Sequence, residues 1–222
     1  MKIILLSCFL IVNMSFAQSG NKKMNVAIFI YDKVEILDFS GPAEVFASAW
    51  LNDDHAFNVY TVAVSKEPLL SQGFITITPE YSIDNCPVPD ILVLPGGDSR
   101  ESQENQKLIQ WIKDCSKDTR VIMSVCTGAK LLSKAGLLDG KEATTFHNAI
   151  ESLREMTPKA KIHENTRFVD NGQIITTAGV SAGIDGALHV VTRFLGKEKA
   201  QEVARYMEYD KWKPDEGLIV SK

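Results

Sequence analysis

The segment Arg120-Val-Ile-Met-Ser-Val-Cys-Thr-Gly-Ala-Lys-Leu-Leu132 constrains this chain more than any other. An apolar run ends abruptly at Cys126 and a helical pattern starts at once. A strand that enters a helix through one tight turn lifts the turn residue above the sheet edge. The same turn aims the first free helix N–H groups at that residue. A thiol placed there feels the positive end of the helix, which predicts that its thiolate form is favoured. The competing role for Cys126 is that of a small buried core residue.

The rest of the chain repeats this alternation. Apolar or alternating runs predict strands at Asn25–Tyr31, Phe57–Val64, Asp90–Pro95, Arg120–Val125 and Ala143–Thr145. Hairpins are expected over Leu69–Thr78, around Gln72-Gly73, and over Arg167–Thr176, turning at Asn171-Gly172. Helices are expected near 103–117, 127–135, 147–156, 182–195 and 197–207. A further helix should run through about Asn52, with Ser40 as its cap and Pro42 in its first turn. Strands alternating with helices imply an α/β fold with a mainly parallel sheet sandwiched by helices. The segment after Tyr209 is polar and is expected to be loosely attached.

The chain opens Met-Lys-Ile-Ile-Leu-Leu-Ser-Cys-Phe-Leu-Ile-Val-Asn-Met-Ser-Phe-Ala-Gln. One positive charge, a short apolar core and small residues at Ser15 and Ala17 predict a signal peptide cleaved after Ala17. A lipoprotein signal ending at Cys8 would leave almost no apolar stretch before the cysteine. The expected organisation is a signal at 1–17, a linker at 18–24, one domain over 25–208 and a tail at 209–222. An exported, periplasmic protein follows from that reading. Its formal net charge of −4 argues against nucleic acid as the main partner. No later stretch is long and apolar enough for stable membrane insertion. Cys86, Cys115 and Cys126 remain after cleavage, and an odd number leaves at least one free thiol. Whether Cys86 and Cys115 pair is not legible from sequence.

In an open parallel sheet, sites form at the carboxyl ends of strands. Three segments fall there: Ile36-Leu37-Asp38, Pro95-Gly96-Gly97-Asp98, and Cys126-Thr127. A thiolate attacking an electrophilic carbon needs N–H donors for the charge that develops. The Thr127 amide, with one from Gly96 or Gly97, is the expected source. Taken singly, a glycine pair after a strand usually makes only a turn, and a carboxylate near a strand end is usually solvated or a cap. No metal-ligand spacing occurs among the histidines, cysteines and acids, and no cofactor is implied.

Several separated motifs resemble the ThiJ/PfpI superfamily. They are Leu37-Asp-Phe-Ser-Gly-Pro-Ala-Glu-Val-Phe46, Val93-Leu-Pro-Gly-Gly97, Ser124-Val-Cys-Thr-Gly128, Ala135-Gly-Leu-Leu-Asp-Gly-Lys141, Ala143-Thr-Thr145 and Thr177-Ala-Gly-Val-Ser-Ala-Gly-Ile-Asp185. Within that superfamily they are most similar to isonitrile hydratases and to the amidase-like sensor domains of AraC-type regulators. The resemblance implies a flavodoxin-like, class I glutamine-amidotransferase-like fold and a homodimer. It implies Cys126 as elbow nucleophile and Asp38 as a site carboxyl that titrates together with the thiol.

Departures from the family pattern narrow the chemistry. Thr127 stands where protease-like and deglycase-like relatives carry histidine, so a Cys-His peptidase is disfavoured. Hydratases often read Thr-Thr-His-Trp where this chain reads Thr144-Thr-Phe-His147, so His147 becomes a site-wall or helix-start residue. Tyr31, Phe39, Phe146, His147 and Val180 are expected to line the substrate pocket. His55, His163 and His189 are expected on the surface or in the core, and Asp185 as a cap or buried partner. The implied activity is hydration of a small electrophile such as an isonitrile, giving an N-formamide through a Cys126 thioimidate. The alternatives are a small-molecule-binding or redox-sensing domain, and glyoxalase- or deglycase-like action on reactive carbonyls.

Overall fold

The computed structural model describes residues 23–220. The expected signal segment lies outside the described residues. Eight strands form one sheet: β1 (Met24–Phe29), β2 (Phe57–Ala63), β3 (Tyr81–Ser82), β4 (Ile91–Leu94), β5 (Val121–Val125), β6 (Phe168–Asp170), β7 (Ile174–Thr177) and β8 (Leu218–Ile219). Their order across the sheet is β8-β6-β7-β5-β4-β1-β2-β3. Every adjacent pair is parallel except β6 and β7. Those two make the expected hairpin, with Gly172 at a left-handed φ of 89° in the turn.

The central strands are buried on both faces, which is why β1, β4 and β5 read as unbroken apolar runs. The faces are covered by α1 (Ile36–Ala47), α2 (Arg100–Glu104), α3 (Gln106–Asp118), α4 (Ala129–Lys134), α5 (Ile150–Met156), α6 (Ala182–Leu195) and α7 (Lys197–Tyr206). Phe29, Phe46, Phe168, Ile28, Ile91, Leu92, Ile122 and Met123 are the bulk of the core. The mainly parallel, helix-covered sheet is the expected fold class.

Several local expectations are corrected. The first helix starts at Ile36, with Pro42 inside it rather than at its start. Ser40 does not cap; its hydroxyl donates to the Ile36 carbonyl at 2.7 Å. Pro42 has no N–H to give the Asp38 carbonyl four residues earlier, a defect that ordinarily costs ~3 kcal/mol in a helix interior. The early start places Asp38 in the first turn, pointing inward and fully buried. The single helix expected near 103–117 is two, divided at Asn105, whose side chain accepts from the Leu108 N–H at 3.0 Å. The strand expected at Ala143–Thr145 is the short pair Glu142–Ala143 with Lys161–Ile162, outside the main sheet.

The segment after Tyr209 is not loose. Its residues Leu218–Ile219 add β8 to the sheet edge beside β6, and the Val220 N–H donates to the Asp170 carbonyl at 2.9 Å. Gly217 makes this docking possible, since a Cβ there would lie 2.1 Å from the buried Phe168 ring. Gly217→Val should therefore destabilise the fold by about 1–3 kcal/mol through overpacking. Urea unfolding checks this, with a lower midpoint and an unchanged slope as the expected outcome.

Candidate active site

Cys126 occupies the corner between β5 and a single 3-10 turn, Cys126–Gly128, that leads into α4. Its φ is +57°, a left-handed value that costs roughly 1–2 kcal/mol for a residue with a Cβ. Three contacts hold it there. The Cys126 N–H donates to the Ala178 carbonyl at 3.1 Å. Its carbonyl accepts the Thr145 hydroxyl at 2.7 Å and the Ala129 N–H. Only 6% of the residue is exposed.

Asp38 reaches the same corner from α1. One carboxyl oxygen, Oδ2, accepts the Gly96 N–H at 2.9 Å. The other, Oδ1, is buried without a nitrogen or oxygen partner, and the Cys126 thiol faces the carboxyl group. Gly96 is required at this point: a Cβ would lie 2.7 Å from Asp38 Oδ2 and equally close to the Thr127 amide nitrogen. The helices carrying the two sides of the site approach just as closely. A Cβ on Gly41 of α1 would lie 2.9 Å from Ile184 of α6, and one on Gly183 would lie 2.9 Å from Val125.

The oxyanion role expected of Gly96 and Gly97 is corrected by this geometry. The Gly96 N–H is engaged by Asp38, and the Gly97 N–H donates to the Thr127 hydroxyl at 3.1 Å. These two glycines orient the acid and Thr127. The backbone N–H groups that point at the sulfur are those of Thr127 and Val180. The Val180 N–H also faces Asp38. Val180 has a φ of +51°, an outlier for a β-branched residue, and this is what turns its N–H toward the thiol. Sequence reading placed Val180 in the substrate wall and missed this backbone role. No residue pattern announces a left-handed valine, although the flanking Gly179 and Ser181 mark a turn.

The protonation state differs from the expected thiolate. Burial, followed by the charge of Asp38, pushes the Cys126 thiol up to about 12, against the pull of the Thr127 and Val180 N–H groups. Burial likewise raises Asp38 to about 6, opposed by the Gly96 N–H and reinforced by Glu35. Desolvation thus favours the proton-bearing form of both groups, which titrate as a coupled pair. The helix end does not overcome this, because the sulfur is desolvated and α4 has only 6 residues.

Tyr31 closes another side. Its buried hydroxyl donates to the Pro95 carbonyl at 3.2 Å, and burial, followed by the charge of Asp38, keeps it un-ionised. No histidine is hydrogen-bonded to Cys126 among the described residues. His55 meets the Ala47 carbonyl, His163 meets Glu142, and buried His189 meets Asp170 at 2.7 Å. His147 is exposed, its ring 4.2 Å from that of Phe146. Both line a cavity of about 520 Å³ with Thr144, Thr145, Arg167 and Gly179. Phe39 is half-buried on α1. Asp185 is the buried partner of Arg167. No cluster of three or more His, Cys, Asp or Glu is placed to hold a metal ion among the described residues. No described helix is long and apolar enough to cross a membrane.

Comparison with known proteins agrees with the fold. The DJ-1/PfpI family pattern matches residues 24–193. An isonitrile hydratase from Pseudomonas putida is 32% identical over 190 residues, 84% of this chain and 78% of that protein. The transcriptional regulator GbdR of Pseudomonas aeruginosa is 21% identical over 188 residues, and the match covers 51% of its length. Among solved structures, a THiJ/PfpI family protein from Pseudomonas syringae superposes with a TM-score of 0.77 at 27% identity, covering 91% of this chain and 85% of that one. Drosophila melanogaster DJ-1beta gives a TM-score of 0.73 at 22% identity, covering 84% and 98%, a likeness of fold.

The expected periplasmic placement is corrected at this point. The family match begins at Met24 and takes in the fold without the N-terminal segment on which export rested. The family assignment itself rests on the matched span and on the cysteine elbow it contains: this chain belongs to the DJ-1/PfpI family.

Proposed function

We propose that this protein is a cysteine-dependent hydratase that adds water to a small isonitrile and releases the N-formamide. The observation that carries this reading is the pairing of Cys126 with Asp38 in place of a histidine. The isonitrile hydratase relative, similar over most of both chains, supports it.

On this reading the Cys126 sulfur bonds to the terminal isonitrile carbon while its proton passes through the Asp38 carboxylate to that same carbon. The product is a thioimidate, R–N=CH–S. Asp38, again ionised, draws a proton from water as the hydroxyl adds to the carbon, and returns that proton to nitrogen. The C–S bond then breaks. The hydroxyl proton returns to sulfur by way of Asp38, and R–NH–CHO leaves. The Thr127 and Val180 N–H groups steady the sulfur each time it carries negative charge. Thr127 keeps its place because its hydroxyl is tied to both the N–H and the carbonyl of Gly97. The organic group of the substrate lies toward the cavity walled by Phe146 and His147. The active form is a homodimer, for which Leu37, exposed beside Asp38 on α1, offers apolar contact.

A non-catalytic, ligand-binding reading is favoured by one observation, the similarity to the regulator GbdR. Redox sensing is disfavoured, because a buried thiol that holds its proton reacts slowly with oxidants. Deglycase-like chemistry is disfavoured by the absence of a histidine hydrogen-bonded to the thiol among the described residues.

Purified protein should convert a simple isonitrile such as cyclohexyl isonitrile to its formamide, with Cys126→Ala inactive. No formamide from wild type, or equal rates from the variant, contradicts the hydratase reading and leaves ligand binding. Asp38→Asn should lower kcat by roughly 10²–10⁴-fold. Because Asp38 must be ionised to take the proton, kcat/KM should fall on acidification through about pH 6 and be flat above it. In Asp38→Asn that acid limb should disappear from the pH–rate profile.

A further inference from the structure

The Val180 N–H can face Cys126 only while a strained valine is held in the left-handed region. Such a conformation persists where the surroundings over-determine it. Within the turn the Gly179, Val180 and Ser181 carbonyls accept the Ala182, Gly183 and Ile184 N–H groups at 3.1–3.2 Å, while the Ser181 side chain makes no cap hydrogen bond to α6. A further set of contacts brackets the turn from outside, and these come from Arg167.

The Arg167 carbonyl accepts the Ala178 N–H at 2.9 Å, just before the turn, and the Ala178 carbonyl in turn accepts the Cys126 N–H. The Arg167 guanidinium reaches past the turn to the other side. Its Nε donates to Asp185 Oδ2 at 2.8 Å, and its Nη2 donates to the same oxygen and to the Ser181 hydroxyl at 3.4 Å. Asp185 is buried in the first turn of α6, so this ion pair is largely out of water. Tyr209, beyond α7, donates its hydroxyl to the other Asp185 oxygen at 3.2 Å. Residues 178, 181 and 185 are thus tied to one side chain and its own backbone, with Val180 enclosed between them.

We propose that Arg167 is a positioning residue: through Ala178, Ser181 and Asp185 it holds Val180 in the conformation that presents its N–H to the reacting thiol, with Tyr209 as a second anchor on Asp185. This rests on Cys126 being the reacting group and not on the identity of the electrophile. Arg167 also walls the cavity beside Phe146, but its two engaged nitrogens point at α6.

The test is the pH dependence of Cys126 alkylation by iodoacetamide, followed in the full chain carrying Cys86→Ser and Cys115→Ser. In Arg167→Met the N–H should be lost from the sulfur, and alkylation should slow about tenfold at each alkaline pH, less than the loss of an entire oxyanion donor. Arg167→Lys keeps the charge but cannot reach Asp185 and Ser181 together, so its rate should fall between those of Arg167→Met and the wild type. Thermal unfolding run in parallel separates this from loss of fold, which would expose the thiol and speed alkylation toward that of an ordinary cysteine. Wild-type profiles in both variants overturn the proposal; if Arg167→Met does not fold, a wild-type profile in Arg167→Lys overturns it. Alkylation needs no isonitrile turnover, so a wild-type protein inactive on isonitriles with a graded alkylation series refutes the hydratase reading alone.

Discussion

The site depends on the burial of one carboxyl group, that of Asp38, against one thiol. Taking an ionised carboxylate out of water is unfavourable unless hydrogen bonds replace hydration. Asp38 is bonded by the Gly96 N–H through one oxygen, while its second oxygen has only the Cys126 thiol and the Val180 N–H facing the carboxyl group. A carboxyl so poorly compensated holds its proton more tightly than usual, which suits it to take a proton and return it near neutral pH. The same burial keeps the sulfur protonated until a substrate arrives. Reactivity is therefore a property of the pair, and neither group explains it alone.

Much of the surrounding architecture bears on keeping that pair together. The early start of α1 turns Asp38 inward, although it places Pro42 inside the helix. Gly41 and Gly183 let α1 and α6 approach until the two helices stand on either side of the β5 corner. The loop Gly96-Gly97 ties Asp38 on one side to Thr127 on the other. Two residues with side chains, Cys126 and Val180, are held in left-handed conformations at this junction. A left-handed cysteine and a left-handed valine facing each other at a sheet edge are the kind of backbone strain expected of a functional site.

The parts of this arrangement legible in the sequence are those written in local pattern. Unbroken apolar runs gave the buried parallel strands, Asn171-Gly172 gave the hairpin, and the abrupt change of period at Cys126 gave the elbow. Asp38 was reachable through its motif. What escaped depends on contacts distant in sequence or on backbone angles. The start of α1 was misplaced because Ser40 and Pro42 imitate a helix entrance, while the true entrance at Glu35 has no side-chain cap. Strand β8 is two residues long, too short to show any period, and is stabilised by β6. The sulfur was expected as thiolate because a helix end is visible in sequence and desolvation is not. The direction of the Val180 N–H and the grip of Arg167 on α6 belong to the same class of fact.

The most direct test of the Cys126–Asp38 pairing is the ultraviolet absorbance of the thiolate, titrated in protein carrying Cys86→Ser and Cys115→Ser and compared with the same protein lacking Cys126. With the proton held on sulfur beside an ionised Asp38, no Cys126 thiolate signal should develop at about pH 9, where an ordinary thiol is already largely ionised. Replacing Asp38 by Asn should bring the signal to lower pH by removing the adjacent negative charge. A full thiolate signal at neutral pH in the unsubstituted site, unaffected by Asp38→Asn, would contradict the account.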